Sequence, residues 1–197
     1  MPASARNDRA GVVAAAMRVL AENGLPGLSM RRIAEELDVQ VSALYWHFPN
    51  KQALLAAVSE QIVGSVAQQS ARDAAPDLAR IATALRDSLL AYRDGAEVVS
   101  SSLALGLLDL SAREHLAAAA RGLGLTEEAA LVAADTIVHF VIGYTFHEQQ
   151  RTHAAVVGAA AVSVDLAPAA VNERVDAFQA GLAMIVAGVR EESRRPA

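Results

Sequence analysis

The sequence contains no cysteine and no long uninterrupted apolar run. The lack of cysteine in all 197 residues excludes disulfides, thiolate metal ligands and a cysteine nucleophile. No stretch approaches the roughly 18 uninterrupted apolar residues of a membrane span. The N-terminus is charged where a signal peptide is apolar. We therefore expect a cytoplasmic protein with no membrane partner.

Aromatic residues are scarce, at 4% of the chain, although 53% of it is apolar. Much of the apolar content is alanine, which is the best helix former and is depleted in strands. Apolar positions recur at intervals of three and four, and strand alternation is nowhere sustained. Composition and periodicity together predict an all-α protein.

Basic residues do not dominate the chain, whose formal net charge is -5. Residues 1–52, however, carry six basic and five acidic side chains, so the excess of negative charge lies in the remainder. This mild asymmetry permits an N-terminal segment that contacts an anion.

The first 70 residues predict four helices, each bounded by a residue that favours a helix terminus. The second and third helices are short and are joined by a tight turn at residues 38–39. The predicted helices and their boundary residues are 7–23 before Gly24, 30–37 after Ser29, 40–47 before Pro49, and 51–69 after Asn50.

Two short helices joined by a tight turn and braced by a preceding helix predict a helix-turn-helix, whose second helix enters the DNA major groove. Leu44 is expected to face the first two helices. Tyr45, Trp46 and His47 are consecutive and point in three directions, so at least one of them faces away from the interior. The alternative is a satisfied packing cluster. The predicted DNA contacts are Arg31, Gln40, Val41, Ser42, Tyr45, Trp46, His47 and Lys51.

The stretch LSMRRIAEELDVQVSALYWHFPNKQALLAAV, residues 28–58, closely resembles the DNA-binding signature of the tetracycline repressor (TetR) family. The stretches YRDGAEV (92–98) and HFVIGYTFHEQQ (139–150) are similar to parts of the ligand-binding and dimerisation domain of the tetracycline repressors. The resemblance implies a homodimeric repressor that leaves a palindromic DNA operator when a small-molecule effector binds. It also implies a DNA-binding domain at 1–50 and a ligand-binding and dimerisation domain at 51–197, with 51–70 as a connecting helix.

The sequence departs from the tetracycline repressors where those proteins bind magnesium. Val99 and His147 stand at the positions of the histidine and the glutamate that hold the metal, and valine cannot ligate a metal. Positions that contact the drug fall near Ala67, Ile81 and Leu85, which are apolar. We therefore expect no cofactor or resident metal, and an effector that is largely apolar rather than magnesium-tetracycline.

The predicted effector pocket combines apolar walls with a few polar anchors, as is usual for small-molecule sites. For any one histidine the alternative is an imidazole that bonds a carbonyl in the core or at an interface. The predicted lining is Ile81, Leu85, Leu89, Val99, Leu103, Leu107, Phe140 and Tyr144, with His115, His139 and His147 as anchors.

Two helices, at 126–150 and 171–190, carry more apolar surface than one small domain covers, which predicts a four-helix dimer interface. The alternative is that each helix buries its apolar seam within its own subunit. The predicted interface residues are Val132, Thr136, Gly143, Val175, Phe178, Leu182, Ile185 and Val189, and Val171 continues the seam of the second helix.

Two other functions are alternatives to DNA binding. An α-helical enzyme with a metal site would need more than His139, His147 and His153, because the Glu-x-x-His pairs, the His-Glu-x-x-His motif and a Gly-rich phosphate loop are all absent. We therefore expect no enzymatic activity. A ligand-binding or interaction module without specific DNA binding is the second alternative, and binding to random duplex with a steep salt dependence would argue against it.

Overall fold

The computed structural model describes residues 8–70, 77–156 and 168–195, without the side chains of residues 65, 67–70, 155–156 and 168–174. Over these residues it contains nine α-helices and no strand, which confirms the all-α prediction. The helices are α1 (Arg9–Gly27), α2 (Met30–Leu37), α3 (Val41–Tyr45), α4 (Lys51–Ser70), α5 (Leu78–Leu90), α6 (Gly95–Ala104), α7 (Ser111–Gly122), α8 (Glu127–Val156) and α9 (Pro168–Glu192).

Three of the N-terminal helices begin after a residue whose side chain accepts a hydrogen bond from a backbone amide in the first turn of the helix. The carboxylate of Asp8 accepts from Gly11 N at 2.7 Å at the start of α1. Ser29 Oγ accepts from Arg32 N at 3.2 Å at the start of α2, and Asn50 Oδ1 accepts from Ala53 N at 2.8 Å at the start of α4. The predicted caps Ser29 and Asn50 are confirmed.

The turn between α2 and α3 is tight because Asp38 adopts the left-handed conformation, with φ of 55°. α3 is shorter than the predicted helix 40–47. It ends at Tyr45, and residues 46 and 47 form a turn in which the amide of His47 donates to the carbonyl of Leu44, three residues back, at 3.0 Å.

Two side chains hold α3 in the N-terminal core. Leu44 and Phe48 are 1% and 0% exposed, and they belong to the same core as Val19, Ile33 and Ala34 of the first two helices. The inward orientation predicted for Leu44 is confirmed. Phe48 was not predicted, although it lies four residues after Leu44, where a helical pattern repeats.

The chain after residue 77 packs as a bundle in which α8 contacts α5, α6, α7 and α9. The sequence did not predict the break between α6 and α7. Gly106, with φ of 65°, lies in that break, and Leu107 beside it is 44% exposed on a loop rather than on a helix. The predicted break at 74–76, and most of the one at 164–168, fall outside the described residues.

The other described residues of the chain leave one strip of α8 uncovered. Val132 is 62% exposed, and Thr136 and His139 are also exposed. A helical pattern alone cannot distinguish an apolar strip that the subunit covers from one that it leaves open. α8 is also the one helix in the described parts of the chain that is long and apolar enough to cross a membrane, and 44% of its most apolar window is buried in the protein.

Gly24 marks a kink in α1, at the position where the sequence predicted a helix end. Its φ of 68° and ψ of -179° belong to a region that almost only glycine adopts. A Cβ added there would lie 2.6 Å from Oδ2 of Asp94, so the kink also allows the close approach of the C-terminal bundle to α1.

Gly24→Ala is therefore expected to lower the free energy of unfolding by about 1–3 kcal/mol, through backbone strain and the Asp94 contact. Urea denaturation measures the change. Gly64→Ala is the matched control, because an added Cβ at Gly64 in α4 meets no atom within 4 Å and is expected to stabilise by roughly 0.5–1 kcal/mol. Equal unfolding midpoints for the Gly24 variant and the parent protein would contradict this account.

Candidate functional site

The surface of α3 and the residues after it carry large exposed side chains. Trp46 is 89% exposed and Tyr45 is 50% exposed, although both follow the fully buried Leu44. Gln40 and Ser42 are exposed at the start of the helix, and Val41 and His47 are partly exposed. Every residue predicted on α3 is thus accessible to a partner, which an ordinary packing cluster would not require.

The two predicted cationic contacts flank α3 in the sequence. Arg31 lies in the first turn of α2 with 83% of its side chain exposed, and its Nε donates to Glu35 at 3.1 Å. Lys51 is partly buried at the first position of α4, beside the Asn50 cap. The N-terminus of a 20-residue helix carries partial positive charge, so this position favours a phosphate.

Two polar contacts that the sequence did not predict brace α2 against α1. Arg18 Nε donates to Glu36 Oε1 at 2.8 Å, and Arg32 donates to Asn23 Oδ1 at 2.8 Å. Exposed contacts of this kind contribute little stability. Their geometric effect is to fix the direction in which α2, and hence α3, projects from the domain.

The residues predicted to line an effector pocket occupy different depths. Ile81, Leu85, Leu89 and Val99 are at most 3% exposed and belong to one apolar core. Leu103, Phe140 and Tyr144 pack partly buried against that core, whereas Leu107 is exposed. An effector that reached the buried four would have to displace packed side chains. The side chain of Ala67 lies outside the described residues.

The three predicted histidine anchors also differ. His139 is exposed, and its Nδ1 lies 2.7 Å from the carbonyl oxygen of Asp135 in its own helix. His147 is exposed beside the ring of Phe146. His115 has a buried Nδ1 without a hydrogen-bond partner among the described residues, so it has polar capacity available to a ligand.

A buried ion pair that the sequence did not predict lies between α5 and α8. Arg86 donates to Glu148 at 2.8 Å, and only 6% and 14% of the two side chains are exposed. The guanidinium also lies 4.8 Å from the ring centroid of Phe178, which stacks on Phe140. Removing one partner of such a pair leaves an uncompensated buried charge, which costs about 3–5 kcal/mol.

The predicted interface residues of α8 and α9 divide into two groups. Phe178, Leu182 and Val189 are buried by their own subunit, which is the alternative that the sequence left open for the α9 seam. Gly143, Val175 and Ile185 are partly buried. Val132 and Thr136 remain exposed, and with Ile185 and Val189 they line a groove of about 600 Å³ beside Met184, which is 76% exposed. The side chain of Val171 lies outside the described residues.

A charged pair lies between α7 and α8, one turn from Val132. Arg113 donates to both carboxylate oxygens of Asp135, at 2.5 and 3.0 Å. These hydrogen bonds lower the pKa of Asp135 below its usual value and raise the pKa of Arg113, against the opposing effect of burial. The pair is partly exposed, so its contribution is small; it is present above the ordinary pKa of aspartate and is lost as the pH falls through the lowered pKa.

Comparison with known proteins identifies both halves of this architecture. Residues 12–58 match the family described as bacterial regulatory proteins of the tetR family, and residues 66–193 match the tetracyclin repressor-like C-terminal domain. The chain belongs to the TetR family of transcriptional repressors. The tetracycline repressor protein class A from transposon 1721 of Escherichia coli is 34% identical over 193 residues, which cover 90% of this chain and 88% of that protein.

Solved structures support the TetR assignment. The crystal structure of Mycobacterium smegmatis BioQ is 37% identical in sequence, has a TM-score of 0.81, and matches 94% of this chain and 98% of its own. A crystal structure of BioQ with its double-stranded DNA operator is 36% identical, has a TM-score of 0.74, and matches 93% of this chain and 98% of its own. TetR-family regulators bind operator DNA, as that complex shows for BioQ.

Lys51→Ala is expected to weaken binding to every duplex and to reduce the slope of log affinity against log salt by about one, because one phosphate contact is lost. Titration of a fluorescent duplex at several salt concentrations measures the slope. Arg195→Ala is the control and should leave the slope unchanged, because Arg195 lies three residues after the end of α9, exposed and paired with Glu192. An unchanged slope for the Lys51 variant would remove this residue from the predicted contacts.

Ser42→Ala is expected to act on sequence preference rather than on overall affinity. Loss of one hydroxyl contact to a base edge should cost roughly 1 kcal/mol on the preferred sequence and should relax preference at one base position. Competition with operator duplexes changed at single positions measures this. Equal losses on every duplex would argue against direct readout by Ser42.

Proposed function

We propose that this TetR-family repressor binds a palindromic operator as a homodimer and is released by a small, largely apolar effector. The observation that carries the DNA-binding part is the environment of Trp46. Its side chain is 89% exposed, while Leu44 and Phe48 on either side of it are fully buried, so the core holds the aromatic surface rigidly toward solvent. The operator complex of BioQ, at 36% identity, supports this function.

The homodimer is proposed from the open strip of α8 and α9. Val132 and Met184 are exposed apolar side chains on either side of a groove that the subunit itself leaves unfilled. A two-fold axis beside this groove would pair each helix with its symmetry mate, and the two-fold symmetry would set the spacing of the operator half-sites. We place the domain boundary near residue 50, where the Asn50 cap begins α4.

The effector is proposed to be apolar and free of magnesium. Val99, at the position of a metal-binding histidine in the tetracycline repressors, is fully buried and offers no donor atom. Ile81 and Leu85 give the region an apolar surface, and the unpartnered Nδ1 of His115 can serve as one polar anchor. Release needs no chemistry, because the effector only has to bind the conformation that does not fit the operator more tightly. We place the protein in the cytoplasm, on the nucleoid when it is bound to DNA.

Selection of bound duplexes from a random pool by the purified protein tests the DNA-binding and homodimer parts of the proposal. An enriched inverted repeat is the expected result, since a two-fold dimer reads two equivalent half-sites. Enrichment of a single half-site would argue against the dimer but not against DNA binding. No enrichment at low salt would favour the alternative, a ligand-binding or interaction module without specific DNA binding.

Val132→Glu is expected to weaken the homodimer and, through it, operator binding by at least about tenfold, because a desolvated charge disrupts an apolar interface. Sedimentation at micromolar concentration measures the oligomeric state. Leu105→Glu is the matched control, since Leu105 is 59% exposed on the loop after α6 and lies outside the groove. A parent protein that sediments as a monomer would overturn the homodimer proposal.

A further inference from the structure

The turn between α5 and α6 is bonded directly to the first helix of the DNA-binding domain. Oδ2 of Asp94 accepts from the amide of Leu25 at 2.8 Å, and the Arg93 guanidinium donates to the carbonyl of Glu22 at 3.1 Å. Asp94 is only 8% exposed and adopts a left-handed φ of 55°. The carboxylate therefore lies in a fixed position against the kink at Gly24.

One side chain of α8 bonds both helix ends that flank this turn. Nε2 of Gln149 donates to the carbonyls of Leu89 and Tyr92, at 3.0 and 2.9 Å, and Oε1 accepts from the amide of Ala96 at 3.1 Å. The last carbonyls of one helix and the first amides of the next have no partners within their own helices. Gln149 supplies such partners from a third helix.

These contacts form a continuous path from α8 to α1. Gln149 holds Leu89 and Tyr92 on one side of Asp94 and Ala96 on the other side, and Asp94 holds Leu25. Among the described residues, the hydrogen bonds of Gln149 all go to the α5–α6 turn and the helix ends beside it, so any effect on the DNA-binding domain passes through the turn. Its helix also carries Val132 of the proposed dimer interface.

We infer that Gln149 is a positioning residue that sets the orientation of the DNA-binding domain relative to the dimer, and through it the half-site spacing that the repressor accepts. The inference rests on the proposed homodimer. The recognition helices of a dimer must lie about 34 Å apart, one turn of DNA, so a small rotation at the junction changes which spacing fits. Gln149 is the α8 side chain that bonds both sides of the α5–α6 turn; a second α8 contact there, Nδ1 of His153 to the Arg93 guanidinium, is longer, at 3.4 Å.

Gln149→Leu tests this role, because leucine keeps the volume and removes all three hydrogen bonds. Two measurements are made on the full-length protein: binding to palindromes whose spacer is the selected length or one base pair longer or shorter, and hydrogen exchange at the Leu25 amide. We expect discrimination among spacers to fall about five- to tenfold. We also expect faster exchange at Leu25, which lies far from residue 149 in the sequence.

Two further variants keep the result interpretable. Thr152→Val is the matched control on α8, because the Thr152 hydroxyl donates to the Glu148 carbonyl of its own helix; it should change neither measurement. Gln149→Glu, which can accept from Ala96 but cannot donate to the two carbonyls, should act like leucine and serves if the leucine variant does not fold. Circular dichroism verifies that each variant is folded.

The outcomes separate this inference from the proposed function. Parent-like spacer discrimination and parent-like exchange at Leu25 in a folded Gln149 variant would overturn the inference. A parent protein that sediments as a dimer and binds all spacers equally would overturn the inference about spacing, whereas a parent protein that sediments as a monomer would overturn the homodimer and the inference with it. Faster exchange at Leu25 together with relaxed spacing in both Gln149 variants, but not in Thr152→Val, supports it.

Discussion

The burial of Leu44 and Phe48 is the constraint on which the DNA-binding surface depends. A helix of five residues has too few hydrogen bonds to persist alone, so α3 exists only because these two side chains enter the N-terminal core. Because Leu44 and Phe48 face the core, Tyr45 and Trp46 between them project toward solvent. The buried side chains that stabilise α3 therefore also determine the exposure of Tyr45 and Trp46, and a change in the core under α3 would alter the orientation of these two side chains.

Apolar packing sets how firmly the helices associate, but polar contacts set their exact relation. In the interface of α4 and α6, the hydroxyl of Ser59 donates to Oγ of Ser102 at 2.8 Å, and both residues are buried. Arg86 and Glu148 similarly join α5 to α8. Buried polar groups are costly when unpaired, so each such contact favours one helix register over its neighbours. The bundle thus has a defined geometry that it can transmit to the domain junction.

Local features of the fold were predictable and long-range polar contacts were not. The bounds of α2 and the caps Ser29 and Asn50 follow from neighbouring residues, and the helix-turn-helix follows from their spacing. The contact between Asp94 and Leu25 joins residues 69 positions apart, and neither local sequence contains a pattern that predicts it. The sequence could not decide whether the apolar surfaces of α8 and α9 are covered by their own chain or by a second chain, because the apolar pattern is the same in both cases.

Release by the proposed effector would have to act against the apolar packing of the C-terminal bundle. Leu85, Leu89 and Val99 are fully buried, so an effector that enters their core must separate helices that are now in contact. α5 and α6 carry these side chains, and α5 ends and α6 begins at the Asp94 turn. A displacement of either helix would therefore move Asp94 and change its hydrogen bond to the Leu25 amide of α1. An effector that binds the displaced conformation about tenfold more tightly contributes about 1.4 kcal/mol to release. This free energy does not require the effector to contact the DNA-binding domain.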